Sequence, residues 1–384
     1  MRLRLVPQDT SWDFFAWRRV TFGASVVAVI LSLVAWGVIG LNFGIDFLGG
    51  TTIRTESAQP VDVGAYRQAL APLGLGDVAI SEVFDPTFGP ERNVSQIRIQ
   101  AQEGDEAVTA ATIRDVQEAL GSEFGGQVTV SFISSLSPDD IVAALDGTPF
   151  AASAADDGVA FAAGMPFGSL SEIEKLLAAD DPGTQIVDPA YELLLFPSVE
   201  SVGPKVSGEL IWTAILAVAG AIGAMLVYIW LRFEWQFAVG AVAALVHDVI
   251  LTVGIFSLLQ IRFDQATIAA LLTVLGYSVN DTVVIFDRLR ENLVKYKKTP
   301  LIEVMNRSVN ETLSRTLMTS GTTLIALIAL LMLGGDVIRG FVFAITWGVI
   351  VGTYSSVYVA KNVVLMLGVD RGAEPPSEAE AAGA

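Results

Sequence analysis

Ala266–Asp287 reads ATIAALLTVLGYSVNDTVVIFD. The run is apolar enough, and long enough, to cross a bilayer, which takes about 20 residues of helix. Ser278, Asn280 and Asp281 interrupt its second half. A carboxyl at that depth costs roughly 2.5–3.5 kcal/mol on insertion scales, so an intramembrane Asp is a functional candidate by default. Asp281 is the residue around which a function is sought.

Five further stretches of spanning length flank it: Val20–Leu41, Leu210–Leu231, Gln236–Leu259, Leu313–Leu333 and Gly340–Leu367. Of the 384 residues, 52% are hydrophobic and only 17% charged, with a mean hydropathy of +0.56. That balance predicts a polytopic α-helical membrane protein. The segments expected are a cytoplasmic stretch 1–19, a first span 20–41, an extracytoplasmic domain 42–208, a five-helix region 209–367 and a cytoplasmic tail 368–384. Arg2, Arg4, Arg18 and Arg19 precede the first span, and no A-x-A-type pattern follows it, so it reads as a retained signal anchor. Arg288, Arg290, Lys295, Lys297, Lys298, Arg307, Lys361 and Arg371 fall on the same side as that N-terminus, against Arg262 and Arg339 on the other. The positive-inside rule makes the richer side cytoplasmic and both termini with it. The basic run Arg288–Arg307 fits that topology and contact with anionic membrane lipid. Trp17, Trp212, Trp230 and Trp235 lie near span ends, as interfacial anchors do.

The net charge is −18, and 42–208 holds 25 acidic against 7 basic residues, a balance equal to that of the whole chain. Such a domain repels phosphates and argues against nucleic-acid binding. There is no Cys, hence no disulfide and no thiolate metal site. The lone His247 argues against a His-built metal centre. Neither a cofactor nor a Ser-His-Asp set is expected. Within the domain, Thr51–Thr55 alternates like a strand, Val61–Leu73 has helical spacing, and Val78–Phe84 and Val94–Gln100 read as strands about the turn-rich DPTFGPER at 85–92. Glu106–Phe124 is amphipathic through Val108, Ile113, Val116 and Leu120, and Gln127–Ile133 alternates again. The order β-α-β-β-α-β predicts a ferredoxin-like α+β unit. Leu136–Pro189 is rich in Ala, Asp, Gly and Pro and reads as an inserted, partly flexible lobe. Tyr191–Val202 then resumes strand character.

Several motifs now stand in order. FGIDFLGGT (Phe43–Thr51) ends the first span and SVGPKV (201–206) opens the second. AALVHDVILTVGIFSL and LLTVLGYSVNDTVVIFDRLREN lie in the third and fourth spans, and ETLSRTLMTSGTT and GTYSSVYVA in the fifth and sixth. Together these resemble the SecF family, the smaller half of the bacterial SecD–SecF protein-export complex. The resemblance implies pairing with SecD, association with the SecY–SecE–SecG channel and with YajC, and use of the proton-motive force to help a translocating preprotein emerge outside the inner membrane. It also implies half of a resistance-nodulation-division transporter, whose two six-span halves surround a pseudo-twofold axis. The family's intramembrane Asp and Arg, implicated in proton passage, fall here on Asp281 and Arg315. Burial favours a neutral carboxyl and a nearby guanidinium favours an ionised one. Moving Arg315 relative to Asp281 would therefore load or release a proton, and each proton falling through about 100 mV yields roughly 2.3 kcal/mol. The plainer reading is a static pair that positions helices.

Other residues carry two readings each. Tyr277, Asp281 and Arg288 share one helix face, as do Arg315, Thr319 and Thr322. With Ser278 and Asn280 they are candidates for a polar relay or for ordinary inter-helix bonds. His247 and Asp248 project about 100° apart on a helix and need not touch. They are a further relay candidate, with packing the plainer role. Gly44, Asp46, Phe47, Gly49 and Gly50 lack the Lys-Ser/Thr ending of a phosphate loop and precede a strand. They read as a signature turn and, with Gly203 and Pro204, as a hinge or a rigid elbow between span and domain. Gly321, Gly352, Ser355 and Ser356 are small residues suited to close helix approach. The rival functions are a small-molecule exporter half, a passive translocase scaffold and, with no residues to support it, a membrane enzyme.

Overall fold

A computed structural model describes residues 10–76, 78–83, 93–100, 109–155 and 158–369. Arg2, Arg4, the turn at 85–92, Glu106, Val108, Arg371 and the tail from 373 lie outside them, as does the side chain of Pro204. The chain divides into a helical unit, 1–43 with 212–384, and a sheet unit, 44–211.

In the sheet unit, Gly44 leads into one helical turn, α2 (Ile45–Leu48; α1 precedes it in the helical unit). Gly49 and Gly50 then take φ of +75° and +125°, values that suit glycine. The expected tight turn is thus a single helical turn with Ile45 and Phe47 buried and Asp46 in it. There follow β1 (Gly50–Ser57), α3 (Val63–Leu70), β2 (Val78–Val83), β3 (Asn93–Gln100), α4 (Ala110–Phe124), β4 (Val128–Ile133), α5 (Pro138–Ala144), β5 (Ala152–Ala155), β6 (Gly158–Phe161), α6 (Ser169–Leu177), β7 (Gln185–Tyr191) and β8 (Leu194–Val202). Asp62 caps α3 by accepting from the amides of Gly64 and Ala65 at 2.8 and 3.1 Å.

The first sheet has the order β2-β3-β1-β8, all antiparallel. Its strand–helix sequence is the ferredoxin-like one through α4, but the closing strand beside β1 is β8. The expected closing strand, Gln127–Ile133, becomes β4 and enters a second antiparallel sheet, β5-β6-β4-β7. The stretch read as a partly flexible insertion therefore folds as most of that second sheet. Its Ala- and Gly-rich strands β5 and β6 are four residues each, too short to show a period. Their core is nonetheless specific: Ile141, Leu145, Val159, Phe161, Ile173 and Ile186 bury together with Ile53, Ile97, Val116 and Leu120 of the first layer. At about 1.5–3 kcal/mol for each large buried side chain, this shared core holds the two sheets as one unit. Glu118 on α4 is buried and accepts from the amides of Gly168 and Leu170, at 3.0 and 2.8 Å, at the start of α6. Burial pushes its carboxyl up, and those two amides oppose the shift.

The two junction motifs lie side by side. Gly50 pairs with Val202 in the β1–β8 register, and Ser207 Oγ donates to Gly203 O at 3.2 Å and lies 3.5 Å from Ile45 O.

The helical unit comprises α1 (Arg18–Ile39), most of α7 (Pro204–Arg232), α8 (Trp235–Leu259), α9 (Gln265–Lys295), α10 (Leu301–Leu333), α11 (Asp336–Ser355), a π segment (Ser356–Ala360) and α12 (Lys361–Leu367). Six of its helices, the last counted from Ile338 to Leu367, are long and apolar enough to cross a membrane. The boundaries move most around the fourth and fifth spans. α9 runs on past Asp287 to Lys295 and α10 begins at Leu301, so the expected basic loop is two helix ends and a turn at 296–300. Two of its charges meet on one carboxylate: Glu311 accepts from Arg288 Nε at 2.7 Å and Arg307 Nε at 3.0 Å, and from Asn292 Nδ2 at 2.8 Å. Trp17, Trp212, Trp230 and Trp235 are all exposed.

Burial within the unit is uneven. The last span is the most enclosed and the α7 span buries none of its apolar window. The enclosure rests on small residues. A Cβ on Gly348 would come within 2.2 Å of Val274 Cγ2, and one on Gly254 within 2.2 Å of Ser32. Gly352 sits against Ser278, as its size predicted. Gly321 does not repeat this: no atom comes within 4 Å of the place of its Cβ.

Candidate functional site

Asp248 lies on α8 at the centre of the bundle, fully buried. Its Oδ2 accepts from Ser278 Oγ on α9 at 2.6 Å and from Ser355 Oγ, the last residue of α11, at 2.8 Å. Its Oδ1 lies 2.9 Å from His247 Nδ1. Although successive helix positions diverge by about 100°, these two side chains do touch. An ionised carboxylate makes Nδ1 the donor. The His247 ring stacks on Tyr354 at 6.4 Å. The Tyr354 hydroxyl donates to Thr21 O at 2.8 Å and accepts from Ser25 Oγ on α1 at 3.1 Å. His247 Nε2 is buried without a hydrogen-bond partner among the described residues. Each hydrogen bond to a charged group contributes about 1.5–3 kcal/mol, so the shell around Asp248 ties three helices, α8, α9 and α11, to one carboxylate.

Asp281 is also buried, at 5% exposure, but its shell is thin. Ser320 Oγ on α10 donates to its carboxylate at 3.3 Å, and the neighbouring Asn280 side chain on α9 also acts on it. Ser320 is shared with Thr353 of α11 at 2.8 Å. Arg315 lies on α10 one and a half turns before Ser320 and is exposed. Among the described residues it forms no ion pair, although its charge acts on Asp281. The two sites meet on α9, where Ser278 precedes Asp281 by one turn. Next to Asp281 on the same helix, Thr282 Oγ1 and Ser356 Oγ bond at 2.8 Å.

The other relay candidates separate. Thr319 and Thr322 turn back on their own helix, donating to Arg315 O at 3.1 Å and Met318 O at 2.8 Å, and neither reaches Asp281. Tyr277 hydrogen-bonds Thr323 across the α9–α10 face, and Asn280 is exposed. Ser320, Thr353, Ser355, Thr282 and Ser356 carry bonds that the sequence reading did not assign. A signal existed for the first: Ser308, Thr312, Thr316 and Ser320 recur every fourth residue and are all buried.

The α9–α10 pair also carries polar and small residues that are open. Gly276, Asn280, Arg315 and Thr322 are exposed, and nothing approaches a Cβ at Gly276 or Gly321. An open Arg and Asn at membrane depth are costly against lipid and suit a protein neighbour.

Comparison with known proteins fixes the family. The family model for the protein export membrane protein SecD/SecF, C-terminal, matches residues 185–370, and that for the SecD/SecF GG motif matches residues 34–61, the stretch containing Gly49 and Gly50. Protein translocase subunit SecF of Cereibacter sphaeroides is 55% identical over 97% of this chain and 94% of its own length. That of Rhodobacter capsulatus is 53% identical over 97% and 94%. Among solved structures, SecDF of Thermus thermophilus, a translocon-associated membrane protein, superposes with a TM-score of 0.67 at 28% identity. The match covers 96% of this chain and 40% of that one, so this chain spans about two fifths of the SecDF length. The chain is a multi-pass membrane protein of the SecF family of protein translocase subunits.

Proposed function

We propose that this subunit works with SecD in the bacterial inner membrane, with both termini cytoplasmic and the sheet unit outside. There it couples proton entry to the late export of preproteins leaving the SecY–SecE–SecG channel, with YajC as a further associate. The observation that carries the reading is the contrast at Asp281. The carboxyl is buried, held across the helix pair by one hydroxyl at 3.3 Å with the exposed Asn280 side chain beside it, and under the charge of an Arg315 that has no ion pair of its own among the described residues. A group so loosely held changes charge without dismantling the bundle, whereas Asp248 is too fully bonded for that. The open positions Gly276 and Asn280 on α9 and Arg315 on α10 are where the SecD half would seat. Seating it removes Arg315 from lipid and strengthens its electrostatic grip on Asp281. Proton binding at Asp281 loosens that grip and lets α9 and α10 shift. The sheet unit follows through the adjoining Gly44–Gly50 and Gly203–Pro204 junctions. The test is Asp281→Asn in cells, at equal levels of the assembled complex. Export is expected to lose its response to the proton-motive force, and undiminished export would overturn the reading.

A further inference from the structure

Lys361, the first residue of α12, has a setting that topology does not explain. A lysine placed to mark the cytoplasmic side would extend its ammonium to water. This one is 1% exposed, and its Nζ has no hydrogen-bond partner among the described residues. The Nζ lies 4.1 Å from the ring centre of Phe15, 5.2 Å from Phe14 and 5.3 Å from Tyr358. Two of these rings belong to the segment before α1, residues 10–16, which is itself strapped to α10. The Asn310 side chain pairs with the Trp12 peptide in both directions, Trp12 N to Oδ1 at 2.9 Å and Nδ2 to Trp12 O at 2.8 Å. Phe14 N donates to Asn306 Oδ1 at 2.9 Å. Asp13 accepts from the amides of Phe15 and Ala16 at 2.9 and 3.1 Å, and so caps the turn into α1.

Immediately before Lys361 lies the π segment Ser356–Ala360. A π turn is rare and unfavourable unless held, and it recurs at functional sites. Here it is held at both ends. Ser355 is fixed on Asp248 and Ser356 on Thr282 at one end, and Lys361 is fixed in the rings at the other. Asn362 Nδ2 donates to Tyr358 O at 2.6 Å, within the wide turn. Relaxing to α geometry would turn the two ends by about 100° relative to each other, and one of the two anchors would have to let go.

We propose that Lys361 is a positioning residue: with the strap at residues 10–16, it sets the register of the π segment and thereby places Ser355 and Ser356 on Asp248 and Thr282. The strap also grips α10, the helix of Ser320 and Arg315. A shift of α10 against the last span therefore loads this latch, and that last step rests on the proton-coupled reading given above.

The test is amide exchange on the full chain with its SecD partner, read at Trp12, at Phe14 and across 356–362. Lys361→Met keeps the length and removes the charge. It is expected to raise exchange about tenfold at both places, in line with loss of a desolvated cation–π contact. Phe15→Leu is expected to do the same, the double variant no more than either single one, and Phe15→Tyr to behave as the parent. If Lys361→Met leaves both regions protected, or frees the strap while 356–362 stays as before, the proposal is overturned. Should Lys361→Met fail to accumulate, Asn310→Leu releases the strap with the rings intact, and unchanged exchange in 356–362 then overturns it. The latch is read by exchange in Lys361→Met and Phe15→Leu with Asp281 intact, and the proton reading by export in Asp281→Asn with Lys361 intact, so failure of the one and failure of the other are separately visible.

Discussion

Asp248 and Asp281 lie in the same bundle, both buried, and differ in how they are held. Asp248 is fully enclosed, with hydroxyls from two neighbouring helices and an imidazole around it. Asp281 has one long hydroxyl contact from another helix and, on its own helix, the exposed Asn280 side chain beside it. The difference assigns roles. A carboxylate satisfied on every side stabilises an arrangement, while one loosely satisfied beside an exposed guanidinium is free to change its charge.

The largest effect that would break this comparison is on stability. Asp248→Ala strands two hydroxyls and an imidazole in the core and is expected to cost about 3–5 kcal/mol, seen as a sharp fall in thermal unfolding temperature or in accumulation. If Asp248→Ala is as stable as the parent, that carboxylate is not the keystone described. Next, Ser355→Ala removes one of the three partners and is expected to cost about 1.5–3 kcal/mol. Ser320→Ala, at a 3.3 Å contact, is expected to cost under about 1 kcal/mol while changing the pH dependence of export. Equal losses from the two serines would erase the distinction between the sites. The smallest effect lies in the sheet unit, at Glu118. Burial raises its folded pKa above the ordinary value of a glutamate carboxyl. Between those two pH values the unfolded chain holds fewer protons than the folded one, so stability falls as pH rises through the window. Glu118→Gln is expected to flatten that slope in exchange at the start of α6. An unchanged slope would show that this carboxyl does not titrate differently on folding.

Much of this was legible in the residues. The six spans, the sheet unit between the first two, and Asp281 as a buried intramembrane acid follow from hydropathy and from the cost of a charge in lipid. The swap of β4 for β8 was not legible, because alternation shows that a strand exists but not which strand it pairs with. Nor was the bond from His247 to Asp248, since helical spacing fixes Cβ directions and not rotamers. Ser355 read as a packing residue because a small polar side chain serves either role until its neighbour is known. The extension of α9 and α10 beyond the apolar stretches depends on the charges gathered at Glu311, which a hydropathy reading discards.

The most direct measurement is proton conduction in vesicles holding this chain with SecD, comparing Asp281→Asn with Asp248→Asn at matched protein levels. An amide at 248 can still accept from both serines and donate to the imidazole. The account therefore predicts conduction within about twofold of the parent for Asp248→Asn, and a loss of about tenfold or more for Asp281→Asn. Full conduction in Asp281→Asn, or its loss in Asp248→Asn alone, would contradict it.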